Sequence, residues 1–326
     1  EFRYKNQEFY CEEVGVNCLA ERFSTPLYVY SYKTIIDHYL KLKRAFAQVK
    51  PLICFSVKSN SNLSVLNALV KKGAGLDIVS GGELYCCQKI KADPKKIVYA
   101  GVGKTRQEIE AAVRLGILFF NVESLQELGL ISEVALNLKK VVRVCIRINP
   151  NVDPNTHRYI TTGTLESKFG VDFDTARIIF LNKDNFKNVE VLGLHVHIGS
   201  QITQVEPFVA ALHRIMCFID ELKRMGIRIE WLNIGGGLGI IYKNEKPQTA
   251  QEFASRVVPL LKKTGLKIIL EPGRFIVGNA GILVTRVLYV KDTPKKRFIV
   301  VDAGMNDLIR PSLYNAYHEI LPLVKS

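Results

Sequence analysis

Four short stretches of this chain carry residues whose types and spacing could do chemistry. In PLICFSVKSN, Lys58 follows an apolar run that reads as a strand from Leu52 to Lys58, buried on both faces. An ammonium loses hydration inside a protein, so such a lysine must reach water, a counter-charge or a covalent partner. A side chain that snorkels to the surface satisfies this, and so does a nucleophilic amine. LHVHIGSQ sets His195 and His197 two apart, so both point the same way from one strand. No third ligand with recognisable metal spacing accompanies them. A planar imidazole lying against a flat aromatic ligand suits His197 better, with Ser200 placed to bond a phosphate. In NIGGGLG, Gly235, Gly236 and Gly237 offer backbone N–H groups to an anion, or simply make a tight turn. EPGR brings Glu271 and Arg274 to one strand end, either as a mutual ion pair or with the carboxylate holding a proton on a ring nitrogen, because a nearby anion raises the pKa of a cationic acid.

The elements that must position these groups are legible as a rhythm. Short apolar runs at ICFSV, GLDIV, IVYA, ILFFN, VRVCIRI, VLGLHVHI, IEWLNIG and KIILE alternate with amphipathic stretches of helical length, such as RQEIEAAVRLG and AQEFASRVVPLLKKTG. Parallel pairing needs such crossovers, so the pattern predicts a (β/α)8 TIM-like barrel over residues 33–274, with an open doubly wound sheet as the alternative. Catalytic groups in barrels of this kind lie at the C-terminal ends of strands. Lys58 ends the first predicted strand, Asp77 the second, Arg147 the fifth, His195 and His197 the sixth, the glycine run the seventh, and Glu271 with Arg274 the eighth. Past Arg274 the rhythm breaks into strands without helices, which with residues 1–32 predicts a β-rich second domain over 275–326, incomplete here and with exposed edges.

Composition narrows the function class. With 48% hydrophobic and 23% charged residues the chain reads as an ordinary soluble protein, and no apolar run is long enough to span a bilayer, so a cytoplasmic protein without membrane attachment is expected. The formal charge of +14 raises the question of nucleic acid. Its basic residues, however, are scattered between apolar helical positions without interleaved aromatics, which favours a solvated basic surface and no nucleic-acid partner. Seven cysteines without CxxC spacing read as reduced, several of them in the core. The GxxxxGK[ST] and GxGxxG patterns are missing, so nucleotide hydrolysis and a nicotinamide cofactor have no support.

A lysine for a Schiff base, a phosphate cradle, a flat face for stacking and an acid against a pyridine nitrogen together describe a pyridoxal 5'-phosphate site. With FSVKSN, GLDIVSGGEL, YAGVGKT, RINPNVDPNTHRYITTGTLESKFG, GLHVHIGSQ, NIGGGLG, EPGR and VDAGMNDLIRPSLYNAYHE in place, the chain resembles the diaminopimelate decarboxylases, in the alanine-racemase-like group of pyridoxal-phosphate enzymes, along nearly its whole length. That resemblance implies Lys58 as the covalent anchor of the cofactor, His197 stacked on its ring and Glu271 at the pyridine nitrogen. It implies Ser200, Gly236, Gly237, Gly273 and Arg274 around the phosphate, Asp77 and Arg147 shaping the site, and Arg274, Arg310 and Tyr314 on the carboxylates of diaminopimelate. The implied reaction releases CO2 and leaves lysine, in a homodimer with shared active sites. Members of the family continue beyond the position of Ser326, with a Cys-Glu-Ser-x-Asp segment and a late tyrosine supplied across the dimer, so the sequence reads as a truncated form or as part of a longer chain, and by itself would turn over slowly or not at all. A decarboxylase of another basic amino acid, of the ornithine or arginine type, and a catalytically dead cofactor-binding homologue are the alternatives.

Overall fold

A computed structural model describes residues 1–153 and 167–325. Part of the long motif that the sequence reading singled out, from Pro154 to Glu166, therefore lies outside the described residues. All eight predicted runs form strands: Leu52–Ser56, Gly75–Ile78, Ile97–Tyr99, Phe119–Val122, Val142–Arg147, Val189–His195, Trp231–Asn233 and Lys267–Leu270. They pair in parallel, each with its neighbour in sequence, and close into a barrel. Closure is made by the eighth strand on the first, Ile269 opposite Leu52 and Leu270 opposite Ile53, which rules out the open sheet.

Helices cover the outside, and local chemistry starts and stops them. Thr105 and Thr249 form reciprocal capping boxes with Glu108 and Glu252, while Ser80, Ser124 and Asp172 accept from backbone N–H groups in the first turns. Gly116 and Gly265, both left-handed, end two of these helices. The predicted first strand is shorter than expected. It stops at Ser56, and Lys58 sits on a 3-10 turn, Val57–Ser59, where it reaches water, one of the outcomes its charge required. A turn leaves the sheet sooner than a strand would, which lets the ammonium stay hydrated at the barrel mouth.

Strand alternation separates two populations of side chains. Ile53, Phe55, Leu76, Ile78, Tyr99, Phe120, Val144, Ile146, Leu194, Leu232 and Leu270 belong to the large core shared with the helices. Residues of the opposite parity form a separate interior cluster: Cys54, Val98, Phe119, Cys145 and Ile269, with Trp231 packed against it. Two glycines make room for its thiols, since a Cβ at Gly75 or Gly193 would lie 2.8 Å from the sulfur of Cys54 or of Cys145. Burial pushes both thiols up, so they are inert core residues. One step further toward the C-terminal ends, the same parity carries Ser56, Asp77, Asn121, Arg147, His195, Asn233 and Glu271, all buried. The barrel thus has an apolar floor and a polar upper layer, and register locks that layer in place: Ser56 pairs with Asp77, and His195 with both Arg147 and Asn233.

The remaining strands lie outside the barrel. Phe2–Lys5, Glu8–Cys11 and Val14–Gly15 form one small antiparallel sheet, Leu27–Tyr30 pairs with Gly281–Val284, and Val287–Asp292 pairs with Arg297–Val301. Phe9, Cys11, Val16, Ala20, Val29 and Val284 make a modest core between the first two of these sheets. Val287, Tyr289, Val290, Phe298 and Ile299 in the last hairpin are exposed. The stretch past the barrel is not free of helix as expected: Arg274–Val277 and Arg310–Tyr314 are short helical turns. Among the described residues no helix is long and apolar enough to cross a membrane.

Candidate active site

Glu271 is the centre of the polar layer. Asn121 Nδ2 donates to its Oε1 at 3.0 Å and Asn233 Nδ2 to the same oxygen at 2.5 Å, while His195 Nε2 lies 3.0 Å from Oε2. Burial alone would push this carboxyl up. The charge and hydrogen bond of His195, joined by the Asn233 amide, outweigh burial and hold it at about 2. Glu271 is therefore an anion with one oxygen saturated by amides and the other still able to accept. The ion pair with Arg274 considered for EPGR does not form: Glu271 is held by Asn121, Asn233 and His195, while Arg274 donates to the hydroxyl of Tyr242 at 2.6 Å.

A second carboxylate has the opposite character. Asp77 accepts from the Ser56 hydroxyl at 2.6 Å through Oδ2, and its Oδ1 is buried without a partner. Burial, then the neighbouring Glu271 anion, push Asp77 up to about 8, against the pull of Lys58 and of the Ser56 hydrogen bond. Two buried carboxyls, at the ends of the two strands that flank the first one, are thus driven apart, one ionised and one holding its proton at neutral pH. Lys58 stands on the turn that follows Ser56, the hydroxyl bonded to Asp77, and its charge opposes the upward shifts of Asp77 and of Glu83.

His197 lies two residues beyond the end of its strand, so it does not extend from a common strand with His195 as the spacing suggested. Its Nδ1 accepts from the N–H of Gly236 at 3.2 Å, which puts the ring proton on Nε2. Burial, with Lys58 and Arg147 nearby, drives it well below the usual imidazole range, so the ring is neutral. The N–H of Gly236 therefore orients the imidazole instead of standing open to an anion. Close backbone approach explains the glycine run. A Cβ at Gly236 would lie 2.1 Å from the carbonyl oxygen of Glu271, and one at Gly237, with φ at +116°, 2.5 Å from the carbonyl oxygen of Gly199 beside Ser200. A Cβ at Gly273 would be 3.1 Å from both Ser56 and Ser59, so that loop too lies flat against the first strand's end.

Arg147 is buried and donates to Glu123 Oε1 at 3.0 Å. Glu123 also accepts from the N–H groups of Gly101 and Gly170, and Glu127, which accepts from the N–H of Glu123, is paired with buried Lys104 at 2.5 Å. Arg310 stands over the ring of Tyr242 at 4.5 Å, close to Arg274, and Tyr314 ends the same short helix. Sequence reasoning missed Asn121, Asn233, Ser56, Glu123, Lys104, Tyr242 and the bond from His195 to Glu271. Parity could have found the first three, since each lies two residues along its strand from an interior apolar residue: Phe119, Trp231 and Cys54.

The donor set fits pyridoxal phosphate. It offers an exposed amine, a neutral flat imidazole, an anionic carboxylate aimed inward and a ring of loops stripped of Cβ atoms, together with the unmatched Oδ1 of Asp77. Among the described residues no cluster of His, Cys, Asp or Glu could hold a metal ion. Comparison with known proteins agrees with this reading. Residues 32–278 match the family described as pyridoxal-dependent decarboxylase, pyridoxal binding domain. The diaminopimelate decarboxylase of Aquifex aeolicus is 49% identical over 98% of this chain and 76% of its own length. Among solved structures, the Helicobacter pylori diaminopimelate decarboxylase complexed with L-lysine superposes with a TM-score of 0.90 at 43% identity, covering 93% of this chain and 77% of that one. The M. jannaschii enzyme in co-complex with L-lysine gives a TM-score of 0.93 at 39% identity, covering 99% and 78%. On barrel, site and sequence alike, the chain belongs to the diaminopimelate decarboxylase family of pyridoxal-dependent decarboxylases.

Proposed function

We propose that this chain decarboxylates meso-2,6-diaminopimelate to L-lysine and CO2 with pyridoxal 5'-phosphate as cofactor. The observation that carries the reading is the convergence, in a member of this family, of the Lys58 amine, the His197 imidazole and the Glu271 carboxylate on one barrel mouth. When bound, the cofactor supplies a cationic ring that accepts the electron pair left by departing CO2.

The residues do the rest. Lys58 would hold the cofactor through its amine. The neutral face of His197, fixed by Gly236, gives the ring a flat bed. Glu271 keeps its charge through Asn121, Asn233 and His195, and as a carboxylate facing inward it would favour the protonated form of the cofactor's ring nitrogen. Asp77, largely protonated at neutral pH, adds no negative charge beside Lys58. Ser200, Gly237, Gly273 and Arg274 would border the phosphate, Arg147 braces the wall through Glu123, and Arg274, Arg310 and Tyr314 would receive the carboxylates, for which the planar fork of arginine is suited. The barrel, residues 33–274, forms the cofactor domain, while 1–32 and 275–326 belong to a second, β-rich domain. The active protein is a cytoplasmic homodimer with shared sites.

The test is CO2 release from diaminopimelate, lysine, ornithine and arginine in parallel, with the visible absorbance of the bound cofactor followed in wild type and Lys58→Ala. Release from diaminopimelate alone, with the absorbance lost in the variant, is expected. Release from ornithine or arginine instead, or an unchanged spectrum in Lys58→Ala, overturns the assignment.

A further inference from the structure

Tyr242, just after the glycine run, joins an arginine at the end of the barrel to one from the segment that follows it. Arg274 donates to its hydroxyl at 2.6 Å, and the guanidinium of Arg310 stands over its ring at 4.5 Å. His318 meets the same ring edge-on at 6.1 Å, and its Nε2 accepts from Arg310 at 3.4 Å. Burial and the Arg310 charge both lower the pKa of His318, so it accepts as a neutral ring. Neither guanidinium has a carboxylate partner among the described residues, and the Nε of Arg274 is buried without any hydrogen bond. Two half-buried cations gathered on one phenol, with no anion between them among the described residues, make a site prepared for an incoming anion.

We infer that Tyr242 is a specificity-determining residue: by bonding Arg274 through its hydroxyl and carrying Arg310 on its ring, it fixes the spacing of the two forks on the carboxylate of the substrate's unreacted end. The inference rests on the functional reading above and deepens it. Tyr242 touches neither Lys58 nor Glu271, so it positions the substrate through the arginines and takes no part in bond breaking.

The test compares ligands that differ only in that carboxylate. L-lysine retains it and 1,5-diaminopentane lacks it. In the cofactor-loaded enzyme, Tyr242→Phe removes one hydrogen bond to a charged group and should weaken L-lysine binding about tenfold by calorimetry, leaving 1,5-diaminopentane within about twofold. The KM for diaminopimelate should rise by a similar factor with kcat nearly unchanged. Tyr242→Leu, which also removes the ring under Arg310, should weaken L-lysine further, about a hundredfold. Equal weakening of both ligands, or an unaltered affinity for L-lysine in Tyr242→Phe, overturns the inference. If wild type distinguishes the two ligands as stated yet releases no CO2 from diaminopimelate, the functional reading fails and the carboxylate site stands.

Discussion

Asp77→Asn isolates the cost of the protonated carboxyl in the barrel's upper layer. The amide matches the carboxylate in shape and keeps an oxygen for the Ser56 hydroxyl. In the native protein burial and the Glu271 anion raise Asp77 from 3.8 to about 8. A carboxyl whose pKa is higher folded than unfolded contributes stability that is fully present below the unfolded value and is lost as pH rises through the folded one. Each unit of pH in that window costs about 1.4 kcal/mol, so between about pH 4 and pH 7 the native state loses on the order of 4 kcal/mol to this one proton. Asparagine has no such proton to hold. Urea unfolding of the cofactor-free protein at a series of pH values should therefore show wild type falling relative to the variant from about pH 4 upward, the two curves running parallel again above about pH 8. Parallel curves across the whole range would show that Asp77 is ionised in the folded protein and that the division of roles between the two carboxyls is mistaken.

Two further outcomes follow from packing and charge. Lys104→Met strands the Glu127 carboxylate in a buried site and should cost about 3–5 kcal/mol in urea unfolding, much of it recovered in the double variant with Glu127→Gln. Gly236→Ala places a methyl 2.1 Å from the carbonyl oxygen of Glu271, where only a shift of the eighth strand's end relieves the clash, so activity should fall more than tenfold and the visible cofactor band should weaken. Gly129→Ala, in a helix with open space around it, is the control and should be neutral or slightly stabilising by thermal melting.

Much of this architecture could be read from residues alone because its two periodicities are clean. Runs such as VRVCIRI and KIILE could be nothing but strands buried on both sides, and Lys58, Asp77, Arg147 and Glu271 stood out as charges at or near their ends. What stayed hidden depends on partners distant in sequence. Nothing about Asn121 or Asn233 announces that both amides converge on one oxygen of a glutamate that lies far along the chain from Asn121. Lys104 reads as a surface lysine in a loop, and only its three acceptors, Gly101 O, Asn121 O and Glu127, make burial tolerable. Lys58 shows the converse error: a strand was extended two residues too far because the 3-10 turn that ends it keeps an apolar valine in the pattern. The EPGR pair misled for a simpler reason, since adjacency in sequence suggested a contact that the backbone, turning into a helix at Arg274, prevents.

The seam between the eighth strand and the first has a consequence for how the protein is made. Lys58 emerges early in synthesis, whereas Glu271 and Gly273 are added more than two hundred residues later and reach it only when Leu270 settles beside Ile53. A nascent chain with seven strands paired owns the reactive amine but still lacks the carboxylate of Glu271 and the loop at Gly273. Pairings of such long sequence separation form late, so capture of the vitamin-derived group reports that the ring has shut. Loading of the newly made polypeptide should therefore be all-or-none and follow the docking of the eighth strand.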